Sequence, residues 1–415
     1  MVLSANTNLD ESVSQESNQS RFLDEDFLKV IGPFLKIQKL LGLSRVDIKD
    51  GSVTPPTIFH KCYTMVWLIM MTISILQLII SYKARFSDNR KMFYMFTMAF
   101  LSIEVIFAGF LIYARFCDNQ GNINLYLQMQ KIDRIMGKNR PINVMLQKRN
   151  RITAYSLALF FALVFLASYI LAKDEFGILE LVGATYTLEI VAVELFCSLS
   201  HMRFFYTRVC QLNSQINIHT RETKCDIAIL SNVFETANRL IMSTEWQQCD
   251  PTDIYLKEIF TGFMLFKELY SFQAVETLFQ MLLFCAFFVF WILFTFEHGI
   301  ISLQSEETDK SMLLLDFINL LALALIYMLL LLWLSSGTEA FMREVRKTKH
   351  LSILMMCRYA DGPLRTTAKN MLKLIEETPP DFSVYGMWSM DAQLIIDIFN
   401  LITNFILTIL QFTFL

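Results

Sequence analysis

The sequence predicts an all-α, polytopic membrane protein with seven transmembrane helices. Three observations predict it. The 415 residues are 54% hydrophobic, with 37 Phe and only 8 Pro, and the mean hydropathy is +0.43. Seven apolar segments approach the span length of about 20 residues. Basic residues are unevenly shared between the connections, as the positive-inside rule requires.

The chain opens on a polar, Ser/Asn-rich stretch, residues 1–20. It has no basic start followed by an apolar run, so it is expected to be a disordered segment rather than a signal peptide. Residues 32–43 (GPFLKIQKLLGL) are amphipathic and too short to span. They predict an interfacial or packing helix before the first span.

The predicted spans are residues 62–82, 92–113, 154–172, 179–205, 275–296, 312–335 and 392–415. With the N-terminus inside, the inner segments hold 29 Lys and Arg and the outer loops 6. The short outer loop 83–91, with 4 of those 6, is the exception. The expected organisation follows. Residues 1–61 form a cytoplasmic N-terminal segment, 62–205 carry spans one to four, and 206–274 are cytoplasmic helical extensions. Residues 275–336 carry spans five and six, 337–390 form a cytoplasmic helical connection, and 391–415 are the last span. Within the connection, Gly362-Pro363 interrupts a basic helical stretch and Pro379-Pro380 breaks the chain. No cysteine falls in an outer loop, so no structural disulfide is expected. The sequon at Asn18 would be cytoplasmic and unused, and reversing the orientation would expose it.

Enzyme signals are missing. There is no phosphate loop, GxGxxG, HExxH or CxxC, and the five His are scattered. No catalytic role, metal, cofactor or nucleic-acid partner is expected.

The most informative feature is a polar line in the last span. Asp397, Asn400, Asn404, Thr408 and Gln411 are spaced 3, 4, 4 and 3. At 100° per residue they fall within roughly an 80° sector. Unsatisfied polar groups in hydrocarbon are costly, so this face should meet protein or water. Two readings stay open on spacing alone: a water-filled pore on a symmetry axis, and interhelical hydrogen bonds at a packed interface.

Other polar residues lie inside predicted spans. Glu104 is in the second, and Tyr186, Glu189 and Glu194 are in the fourth. Tyr169 is near the outer end of the third, and Asp316 and Asn319 share a face of the sixth. Tyr169, Tyr186, Glu189, Asp316 and Asn319 all fall in the outer half. They are candidates for an apolar, aromatic ligand pocket with a few polar anchors. The competing reading is that each bonds a neighbouring helix. His201 and Arg203, at the inner end of the fourth span, read as interfacial anchors. The 22 Met suit a bundle that repacks.

The last span resembles the signature of insect gustatory receptors, which end in Thr-Tyr, five hydrophobic residues and Gln-Phe. Here Asn404-Phe405 stands for Thr-Tyr, a five-residue spacer containing Thr408 follows, and Gln411-Phe412 matches. Upstream, residues 385–391 (YGMWSMD) are similar to the family's Gly-aromatic-x-hydrophobic-Asp approach to that span. Residues 33–43 resemble its N-terminal segment, and the stretch from Thr338 (TEAFMREVRKTKHLSIL) resembles its connection after the sixth span.

The resemblance implies a tetrameric, ligand-gated, non-selective cation channel in which four copies of the seventh helix line the pore. Asp397, Asn400, Asn404, Thr408 and Gln411 would face that pore, and Phe412 would seal the outer gate. Cytoplasmic helices would join the subunits, and each subunit would hold a pocket among its second to sixth spans. The expected partners are a small-molecule tastant, permeant cations, membrane lipid, and identical or related subunits. The expected place is the plasma membrane of gustatory sensory neurons. The Asn404-Phe405 departure points to a divergent, bitter-type member, with sugar sensing left open. Two rivals remain: an insect odorant receptor that needs a co-receptor, and a seven-helix G-protein-coupled receptor. The Gln-Phe ending argues against the first, and the loop charges and cysteine placement argue against the second.

Overall fold

A computed structural model describes residues 22–85, 90–117, 119–137, 140–172, 178–230, 252–299, 307–384, 388–391 and 393–414. Expectations for residues 1–20, Asn18 among them, and for 231–251 lie outside these. The described chain is almost entirely helical. Helix α1 is Glu25–Leu40, α2 Ile58–Arg85, α3 Arg90–Ile112 and α4 Asn119–Ile135. They are followed by α5 Arg140–Ala172, α6 Ile178–Leu230, α7 Thr252–Gly299 and α8 Glu307–Arg358. Helices α9, Pro363–Glu377, and α10, Gln393–Phe414, complete the chain.

Proline and glycine punctuate these helices. Pro141 and Pro363 sit within one residue of a helix start, where a missing N–H costs nothing. Gly362, at φ 111°, makes the bend before α9. Pro33 is the exception, inside α1. The sequence reading started the amphipathic helix at Gly32. The observed helix begins at Glu25, because buried Phe27, Val30, Ile31, Phe34 and Leu35 continue one apolar face through the proline.

Two small hairpins qualify the all-α expectation. Strands β1 (Asp47–Lys49) and β2 (Ser52–Thr54) pair antiparallel. Their turn is Asp50-Gly51, both at positive φ, the chemistry that matches the twist of a tight hairpin. Strands β3 (Ser383–Val384) and β4 (Trp388–Ser389) form the second. A π-helical turn, Tyr113–Cys117, ends α3.

The first six predicted apolar segments each fall within one helix, the second running one residue into the π turn, and the seventh, 392–415, covers α10. Among the described residues, four helical stretches are long and apolar enough to cross a membrane: Ile58–Ser81, Pro141–Ala167, Thr252–Phe287 and Ala324–Arg358. Their surfaces agree with that composition. On α2, Met65, Val66, Ile69, Ile73, Leu76 and Ile80 are exposed, and on α5 so are Leu159, Phe160, Leu163, Leu166 and Ile170. Water would not tolerate such continuous apolar faces on a monomer, whereas hydrocarbon does. The protein is a helical, membrane-embedded one.

Helices α6, α7 and α8 hold 53, 48 and 52 residues. At 1.5 Å per residue they run about 70–80 Å, more than twice the ~30 Å hydrocarbon core. They pack against one another and carry most of the aromatic interior, including Phe205, Phe263, Phe266 and Phe341. Close approach needs glycine: a Cβ on Gly262 would stand 2.8 Å from Phe205, and one on Gly337 2.8 Å from Leu199.

Candidate functional site

Helix α10 has three faces. Leu394, Ile398 and Ile402 pack on the core, mainly against α7. Ile396, Phe399 and Leu407 are exposed and apolar. Asn400, Asn404, Thr408 and Gln411 are exposed and polar, and Asp397 is half-buried beside them. At 100° per residue the polar face is centred about 120° from the packed one. Within the described residues the polar side chains bond no other helix, and the Thr408 hydroxyl donates only to the Asn404 carbonyl, at 2.8 Å. Among the described residues the polar line is thus not consumed. Phe412 lies in α10, with its side chain outside the described residues.

The start of α10 is fixed by Asp391. Its carboxylate accepts from the Gln393 backbone N–H at 2.8 Å, which caps the helix, and from the Ser389 hydroxyl at 2.9 Å. Its carbonyl accepts from the Ser335 hydroxyl on α8. The pore-facing candidates therefore sit on a helix whose register is tied to α8 by one residue.

The five pocket candidates are placed unequally. Tyr186 is buried, stacked on Trp67 with ring centroids 4.1 Å apart, and its hydroxyl donates to the Leu41 carbonyl at 2.7 Å. Trp67 stands about 14 Å from the start of α2, by helical rise, so Tyr186 meets the N-terminal segment at that depth. Glu189 is half-buried one turn along α6. Tyr169 is exposed near the end of α5. Asp316 and Asn319 lie in α8, with side chains outside the described residues. The structure brings Tyr186 and Glu189 together and leaves Tyr169 on an outer face.

Two further span residues have helix-to-helix partners. Glu104 accepts from the Thr72 hydroxyl at 3.0 Å. Glu194 accepts from Arg45 at 2.8 and 3.1 Å and from Gln38 at 2.8 Å. His201 is no interfacial anchor. It is buried among the rings of Tyr126, Phe266 and Tyr270, because α4 and α7 cover that side of α6.

Sequence reasoning missed a second polar line. Gln273, Glu276, Thr277 and Gln280 share one face of α7 at helical spacing, and all four are buried. Arg45 donates to Gln273 at 3.3 Å, which links this line to Glu194. Gln280 donates to Glu276. One atom each of Gln273, Glu276 and Gln280 has no partner among the described residues, so the seam offers polar atoms to water or to a polar ligand. The spacing signal was present, but dividing extension from span between residues 274 and 275 split it.

No family model matches the chain, and no curated protein matches it. The likeness of α10 to a receptor signature therefore rests on its residues and their geometry.

Proposed function

We propose that this chain is one subunit of a ligand-gated, non-selective cation channel of the gustatory receptor kind. Its seven apolar helices span the plasma membrane of gustatory sensory neurons, with the N-terminus inside. Four copies, identical or related, surround an axis lined by α10, and a small organic tastant opens the pore.

The observation that carries this reading is the exposed polar face of α10. An apolar helix with an unsatisfied polar line cannot leave that line in lipid. A closed ring of copies gives each of its three faces a suitable neighbour: its own subunit, lipid, and a water-filled axis. Asp397 at the inner end would raise cation occupancy, and the ligand must bind the open state more tightly than the closed one.

Single cysteines introduced as Asn400→Cys, Asn404→Cys, Thr408→Cys and Gln411→Cys test the reading. A membrane-impermeant thiol reagent acts on the thiolate, which needs water. The pore reading expects labelling along that face, and none at Ile396→Cys or Phe399→Cys. Equal protection of both sets in the assembled protein would refute it.

A further inference from the structure

Among the described residues, Arg115 is a buried cation with no ion pair of its own. It lies in the π-helical turn after α3 and is 2% exposed. Its Nε and Nη1 are buried with no hydrogen-bond acceptor among the described residues. Arginine cannot shed its charge to escape this position. Burial pulls its pKa down, to about 10, against the pull of Asp47, Glu194 and Tyr186.

The two acids that act on Arg115 are already engaged. Asp47 holds Lys39 and His60, each at 3.3 Å. Glu194 holds Arg45 and Gln38. A further cation stands alongside, since the Lys61 ammonium lies 5.2 Å from the ring centroid of Phe116, the residue next to Arg115. Among the described residues the local balance is positive, and no carboxylate is left to compensate Arg115, so the site is open to an anion from outside.

The surroundings specify its chemistry. A guanidinium fork matches a phosphate's oxygens. Ile58 and Phe59, immediately before His60 and Lys61, are 81% and 76% exposed. Two bare apolar side chains beside two basic ones fit the boundary between acyl chains and headgroups. Basic pockets between helix ends at that level take phosphorylated headgroups.

We propose that Arg115 and Lys61 hold a phosphate group at the headgroup level, between the start of α2 and the end of α3. This rests on the membrane placement of α2 and not on the channel reading.

The test uses purified full-length protein. Its thermal midpoint is measured in nanodiscs of phosphatidylcholine, with and without phosphatidic acid, and retained lipid is counted by native mass spectrometry. The wild type should retain phosphatidic acid and gain stability from it. Arg115→Gln should retain it about tenfold less well, the loss expected for a charged hydrogen-bonding pair. Arg346→Gln, a change on an exposed surface, should match the wild type. A second arm adds inorganic pyrophosphate in detergent without phospholipid. Stabilisation of the wild type there, absent in Arg115→Gln, keeps the phosphate site and assigns it to a soluble ligand. If Arg115→Gln does not fold, Lys61→Gln gives the same comparison. Undiminished retention in these variants, or a wild type indifferent to both phosphatidic acid and pyrophosphate, overturns the proposal.

Discussion

Arg45 and Glu194, 149 residues apart, form a two-point ion pair in the interior, with Nη2 at 2.8 Å and Nε at 3.1 Å from one carboxylate oxygen. The Arg45 guanidinium also lies 4.3 Å over the Tyr270 ring. One side chain from the N-terminal loop thus joins α6 to α7. Burial lowers the Arg45 pKa, but Glu194 and Tyr270 raise it further, and the net shift is upward. The folded state holds this arginine charged.

Breaking that pair should be costly, because a lone buried charge remains. Arg45→Ala is expected to lower stability by about 3–5 kcal/mol, and Glu194→Gln by a similar amount. The double replacement Arg45→Met with Glu194→Leu should recover much of the loss. Thermal unfolding of the detergent-solubilised protein checks this. Additive losses in the double variant would mean that the pair is not coupled.

The capping carboxylate of Asp391 is a separable target. Asp391→Ala should cost about 1 kcal/mol and loosen the first turn of α10, while Asp391→Asn should retain most of the cap. Faster amide exchange at residues 393–396 in the alanine variant alone is the expected signature.

The glycine contacts predict overpacking. Gly262→Ala and Gly337→Ala would each drive a methyl to 2.8 Å from a side-chain carbon on α6. A loss of about 1–3 kcal/mol is expected from each. Gly32→Ala, with nothing within 4 Å of the added carbon, should be tolerated or stabilising.

The channel reading makes two electrical predictions. Phe412→Ala should raise the ligand-free current, because it removes an apolar constriction. Asp397→Asn should shift conductance or cation preference by removing charge from the inner vestibule. Recordings from cells expressing each variant decide. Unchanged currents in both would return the polar face to the role of helix-to-helix contact.

Orientation has its own check. A tag at Met1 should be reached only after permeabilisation, and Asn18 should carry no sugar. A tag exposed on intact cells with a glycosylated Asn18 would reverse the topology and favour the G-protein-coupled class.

Helical character was legible because hydrophobic periodicity is a local property. Each apolar segment, from 62–82 to 392–415, needed only its own composition to be recognised. The polar line from Asp397 to Gln411 was legible for the same reason, since 100° per residue converts spacing into a face. The equally regular line from Gln273 to Gln280 was hidden by a boundary drawn through it.

What the sequence determined by itself is therefore the mainly helical class, the apolar helices and the polar line of α10. The tertiary structure alone decided that Arg45 finds Glu194, that Tyr186 reaches Leu41, that His201 is enclosed by rings and that Arg115 finds no acceptor. Periodicity specifies which face of a helix is apolar. It carries no information about which distant residue meets that face, because such meetings depend on how several helices pack at once.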